Sequence, residues 1–368
     1  MLSSRRSLLA GAAAMIGGAA TYGTARAAAT ERLPGLNALA AQKGLFFGSA
    51  VDDPHLHDDP ALLERLQLDC GMLVSEYSFK WDSLQPEPGQ FDFAPADALM
   101  DFAAKNDMRV RGHTLIWHEG NPVWLDSALT PQDALSLLNG YISTVCGHFR
   151  GKLAHWDVVN EPLSPEDGQP FGLRATPWLR ALGPGYIDLA FRAGAKADPT
   201  ALRMINEYGL DYAIDWQETR RTALLKLLEA LLTRGVPIQG VGLQAHLDAA
   251  EKRLDQRVLS RFVADIAAMG LKIVVTELDV RDDGLPADIG VRDRAVADHA
   301  RAWLDAVLPN PAVLGLLTWG LSDRRSWLND KFPRKDHLAQ RPLPLDAELR
   351  PTALWYAIAG ALDSVPGR

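Results

Sequence analysis

Eight short apolar runs punctuate the chain, at 45–51, 72–75, 108–112, 153–159, 202–205, 238–243, 272–276 and 313–318. Each is bounded by turn or polar residues, the pattern of strands buried on both faces. Helical patterns lie between them. Residues 61–68 and 96–105 carry apolar positions at three- and four-residue spacing. Pro131 opens a helix over 132–149 with Thr130 placed to cap it. The stretches 224–233 and 257–269 stop at Gly235 and Gly270, and 292–308 is the last long one. Strands alternating with helices in this way predict an α/β fold, a (β/α)8 TIM barrel, in a single domain. An open doubly wound sheet would more typically carry a glycine-rich phosphate turn after an early strand, and neither G-x-G-x-x-G nor a P-loop occurs.

Length and composition agree: 368 residues, 47% hydrophobic and 23% charged, suffice for a substantial core. No linker-like run interrupts 40–360, and no internal repeat of solenoid length is present. The N-terminus changes the picture. Adjacent Arg5 and Arg6, an apolar small-residue stretch and the small-x-small triplet Ala25-Arg26-Ala27 predict a signal peptide of twin-arginine type over 1–27. Residues 28–368 are then the catalytic barrel, exported to the periplasm or the medium. No other stretch approaches the length of a membrane span.

The formal charge is −8, and removing Arg5, Arg6 and Arg26 with no acidic residue takes it to −11. So acidic a surface argues against nucleic acid as a partner. Two cysteines remain, Cys70 and Cys146, which could pair in an oxidising compartment or stay buried as thiols.

A barrel of this kind works where its strands end. The fourth run ends in Trp156-Asp157-Val158-Val159-Asn160-Glu161-Pro162, the seventh in Thr276-Glu277-Leu278-Asp279. Two glutamates emerging at one rim suit glycoside hydrolysis, in which one carboxyl protonates the leaving oxygen and the other attacks the anomeric carbon. A single strand-end glutamate is more often a rim ion pair. Here Asn160 precedes the first, and His246, ending the sixth run, is placed to reach the second. Trp117, Trp124, Trp319 and Trp327 fall at or after strand ends, and indole faces stack on sugars.

These segments resemble family 10 of the glycoside hydrolases, the endo-1,4-β-xylanases, from about Gly44 to Tyr356. The segment 111–118, RGHTLIWH, resembles the family's third-strand signature. The segment 240–246, GVGLQAH, resembles the sixth strand, and Trp319-Gly320-Leu321-Ser322-Asp323 with Trp327 the segment after the eighth. The resemblance implies retaining endo-hydrolysis of xylan without cofactor or metal, by a chain expected to be monomeric. Glu161 would be the acid/base and Glu277 the nucleophile, with carboxyls about 5–5.5 Å apart. Asn160 would bind the sugar 2-hydroxyl, and His246, backed by Asp279, would orient Glu277. Glu76, Lys80, His113, Trp117, Gln244, Trp319 and Trp327 would bind substrate on the non-reducing side, Tyr208 on the leaving-group side. Two departures stand out: Tyr77 where the family usually has Asn, and Glu119-Gly120 where it commonly has Ser-Gln. Both predict a shifted chain-length or side-group preference.

Three other readings compete. Asp53-Pro54-His55-Leu56-His57 matches the D-x-H-x-H pattern of metal-dependent barrel hydrolases. That reading wants further histidines on the fifth and sixth strands, and the sixth offers only His246. A non-catalytic carbohydrate-binding barrel would usually have lost a carboxylate. The same machinery acting on another β-linked glycan is the third.

Overall fold

In the computed structural model the described residues are 34–51, 56 and 58–368. The signal-peptide segment and Asp53, His55 and His57 of the metal pattern lie outside them.

Eight parallel strands close into a barrel: β1 (Phe46–Val51), β2 (Met72–Ser75), β3 (Arg109–Gly112), β4 (His155–Asn160), β5 (Leu202–Glu207), β6 (Gly240–Leu243), β7 (Lys272–Arg281) and β8 (Val313–Thr318). Neighbours pair in sequence order, β8 pairs with β1, and a lateral bond row between β6 and β7 completes the ring. A further short strand, His246–Asp248, pairs with the far half of β7 above the ring. Each predicted run falls on one barrel strand.

Side chains alternate across the ring. Phe47, Leu73, Val110, Val158, Ile205, Val241, Ile273 and Leu316 belong to the large core between strands and helices. Phe46, Ala50, Met72, Val74, Met204, Val274 and Leu317 form a second, smaller apolar cluster, as expected of a barrel whose interior is packed rather than open.

The helices follow the sequence signals, with corrected ends. Asp59, Asp255 and Asp288 cap Pro60–Asp69, Gln256–Ala268 and Ile289–Val307 through side-chain bonds to backbone N–H groups. The helix expected over 132–149 starts at Ala134; Thr130 Oγ1 accepts from Asp133 N at 3.2 Å and so braces the turn before the helix. Asp215–Thr233 begins nine residues ahead of its prediction because its first turns are mostly polar. Tyr186–Ala197 and Ala353–Ser364 went unpredicted.

Beyond β7, Asp282 is fully buried and takes Arg292 Nε at 2.7 Å, with Arg334 at 3.4 Å, fastening the segment after Trp327 to the barrel. Cys70 and Cys146 are both buried free thiols. No described helix is long and apolar enough to cross a membrane.

Candidate active site

A slip in strand register precedes each glutamate, Glu161 just after β4 and Glu277 within β7. β4 shifts against β5 between Asp157 and Val159, and β7 shifts against β8 between Ile273 and Val275 and again before Leu278. A bulge re-aims the side chains that follow it. Glu161 then sits at φ 51°, a left-handed conformation that an L side chain resists.

One frame of hydrogen bonds joins the two. Asn206, next to last in β5, donates from Nδ2 to Asn160 Oδ1 at 2.8 Å and to Glu277 Oε1 at 2.7 Å, while Thr276 donates to its Oδ1 at 2.8 Å. The Asn206 carbonyl accepts Glu161 N at 2.8 Å. Gly242 makes room for this residue: a Cβ there would lie 2.1 Å from Asn206 Oδ1. From β6, Gln244 donates to Glu161 Oε1 at 2.9 Å, and two residues on His246 Nε2 lies 3.1 Å from Glu277 Oε2. His246 Nδ1 lies 2.9 Å from Asp279, whose other oxygen accepts from Trp327 Nε1 at 2.7 Å. Trp117 Nε1 donates to Glu161 Oε2 at 2.9 Å.

The carboxyls are driven in opposite directions. Burial raises the pKa of Glu161; the bonds from Gln244 and Trp117 pull it back, the charge of Glu277 adds to the rise, and the net shift is upward. Burial would raise Glu277 as well, but the His246 bond and the His113, His246 and Arg111 side chains outweigh it, bringing it down to about 2. Burial would lower His246, yet Asp279 and Glu277 carry it well above the ordinary imidazole range. One acid holds its proton and its neighbour gives its own up readily, the division of labour a two-carboxyl site needs.

Most of the remaining predicted residues are linked to this pair through side-chain contacts. His113 Nδ1 lies 2.8 Å from buried Asp157, which also pairs with Arg111. Trp319 meets His113 edge-on at 5.4 Å between ring centroids, and Trp327 meets His246 at 5.1 Å. The Lys80 ammonium stands 5.1 Å from the Trp117 ring and 6.0 Å from that of Tyr77, which is half exposed and donates to Asp82 at 3.3 Å. Gly120 flanks them, its missing Cβ 3.3–3.4 Å from Lys80 and Trp117. Glu76, half-buried at the end of β2, lines an adjoining hollow with Ala50, Val51 and Gly320. Tyr208 stacks on the Arg220 guanidinium at 4.4 Å. Trp124 does not join the group: it packs on the main core and donates to the Gln85 carbonyl at 3.2 Å.

Several contributors carried no sequence expectation. Asn206 could have been found, since it lies near the end of a strand, level with Asn160. His118 Nδ1 lies 3.8 Å from Glu161 Oε2, and burial lowers the pKa of its ring to about 4. Fully buried Glu207 pairs with Arg220 at 3.1 Å and accepts Leu163 N at 3.0 Å. Burial pushes its carboxyl up to about 8 against the pull of Arg220. Arg174, thirteen residues after Glu161, returns to donate from Nε to the Glu161 carbonyl at 3.0 Å, a contact with no local sequence signal. Among the described residues no group of three or more His, Cys, Asp or Glu side chains is arranged to hold a metal ion.

Comparison with known proteins adds an independent line. The profile of glycosyl hydrolase family 10 matches residues 35–361. Endo-1,4-beta-xylanase B of Thermotoga neapolitana is 32% identical over 331 residues, 89% of this chain and 91% of that one. Xylanase 10B of Thermotoga petrophila, solved in complex with xylobiose, superposes with a TM-score of 0.83 at 31% identity, covering 90% of this chain and 98% of that one. Native xylanase 10B of Thermotoga maritima gives 0.82 at 32%, over 89% and 98%.

Proposed function

This chain belongs to glycosyl hydrolase family 10 and is a glycoside hydrolase, and from that premise we propose that it cuts internal β-1,4 bonds of xylan with retention at the anomeric carbon. Glu161 hands its proton to the departing oxygen as Glu277 attacks C1. The C1–O bond to the leaving sugar breaks, its electron pair stays on that oxygen, and a covalent glycosyl-enzyme forms on Glu277. Glu161, now a carboxylate, takes a proton from water, which attacks C1 and frees Glu277. Once Glu277 is esterified its charge no longer raises the pKa of Glu161, which favours the switch from acid to base.

The observation that carries this reading is the opposed tuning of two carboxyls in one hydrogen-bond frame. Around it, Asn160 binds the 2-hydroxyl and His246 with Asp279 orients Glu277. His113, Lys80, Glu76, Gln244, Trp117, Trp319 and Trp327 line the non-reducing side, and Tyr208 the leaving-group side. Exposed Tyr77, and Gly120 with no side chain beside Lys80 and Trp117, favour a changed distal preference, so another β-linked glycan is the second reading. Export by the signal over 1–27 and a monomeric state complete the proposal.

Three experiments test it. Incubation with a 2-fluoro aryl xylobioside should leave a stable adduct on the peptide containing Glu277, and proton NMR of early products should show the β-anomer first. Early α-anomer with no adduct would refute retention. A panel of linear xylan, decorated xylans and β-glucans, with Glu277→Ala as blank, decides the substrate.

A further inference from the structure

The backbone at Glu161 needs holding. A left-handed φ on a residue other than glycine is disfavoured, and a carboxyl at the end of a turn that relaxed would move away from the oxygen it protonates. The contacts that fix residues 161–163 are therefore part of the acid's geometry.

They converge from three sides. The Arg174 fork donates from Nε to the Glu161 carbonyl and from Nη2 to the Leu163 carbonyl, each at 3.0 Å. The same Nη2 donates to the Tyr208 hydroxyl at 3.0 Å, which anchors the guanidinium. Arg220 adds a second bond to the Leu163 carbonyl at 2.9 Å, and Glu207 accepts Leu163 N at 3.0 Å. Arg174 alone among these side chains bonds both ends of the turn. It can do so because a guanidinium is a rigid planar fork; a lysine ammonium is a single point on a flexible stem.

We propose that Arg174 is a positioning residue for Glu161, holding the turn so that the carboxyl meets the departing glycosidic oxygen. The inference rests on the reading of Glu161 as general acid. In glycosylation, the step that kcat/KM reports, Arg174 acts only through proton delivery to the leaving group. A misplacement of about 1 Å in such a step can slow it about a hundredfold. A leaving group that departs without a proton should not register the loss.

The test uses the full chain and two aryl β-xylobiosides, one with a dinitrophenol leaving group that needs no proton and one with phenol, which does. kcat/KM, which reports glycosylation, is measured for wild type, Arg174→Met, Arg174→Lys and Glu161→Ala. Both Arg174 variants should lose roughly tenfold or more on the phenyl substrate and less than about twofold on the dinitrophenyl one. Near-wild-type turnover of the latter also shows that the variants are folded. Equal loss on both substrates, no loss on either, or full rescue by lysine overturns the proposal. Glu161→Ala separates its failure from that of the underlying reading. If that variant discriminates between the substrates and the Arg174 variants do not, the inference on Arg174 fails by itself. If Glu161→Ala slows both substrates alike, Glu161 is not the acid and both readings fall.

Discussion

His246 should set the acid limit of activity. Its Nε2 lies 3.1 Å from Glu277 and its Nδ1 2.9 Å from Asp279. Burial works to raise Glu277, and the His246 bond is the largest influence bringing it down to about 2. A hydrogen bond to a charged group contributes about 1.5–3 kcal/mol. Each pKa unit corresponds to about 1.4 kcal/mol, so His246→Ala should raise Glu277 by about one to two units. The sign follows from the proposed role. As the attacking carboxylate, Glu277 would support activity above its pKa and lose it as pH falls through that value. The acid limb of kcat/KM therefore moves upward, to roughly pH 3–4. A dinitrophenyl β-xylobioside isolates this limb, because its leaving group needs no proton from Glu161. Profiles from roughly pH 2.5 to 7 should show the shift. An acid limb that stays in place in a variant with wild-type circular dichroism would refute the reasoning.

Gln244→Leu removes a bond that favours ionised Glu161. An acid acts below its pKa and fails above it, so the basic limb on xylo-oligosaccharides should rise by about one unit, read from kcat/KM against pH. Arg292→Ala strips a 2.7 Å partner from buried Asp282 and should lower unfolding stability by about 3 kcal/mol, seen as a lower urea midpoint. Cys70 and Cys146 are buried thiols whose pKa burial raises. Ellman's reagent should find neither in the native protein and both after unfolding, with no mass change on reduction.

The strands were legible because a barrel buries them twice, leaving compact apolar runs such as Met72–Ser75 and Val313–Thr318 whose ends match the prediction. β7 was read five residues short. Its far half, Glu277–Arg281, alternates charged and apolar residues, a period-2 strand pattern that a search for continuous apolar runs passes over, and pairs with His246–Asp248. The site divides similarly. Glu161, Glu277, His246 and Asp279 announce themselves by chemistry at strand ends. Arg174 and Arg220 resemble ordinary surface arginines until the loop folds back and the helix packs. Trp124 shows the converse: an indole at the expected place along the chain spends its face on the core.

The positive φ of Glu161 bears on how this enzyme would respond to breeding for heat tolerance. At that position glycine or asparagine suits the backbone better than glutamate does. A library screened only for surviving a thermal challenge would thus be drawn toward discarding the proposed proton donor, and would harvest sturdy but inert barrels. Screens for robust variants should demand turnover of an unactivated glycan in every round, or hold codon 161 fixed.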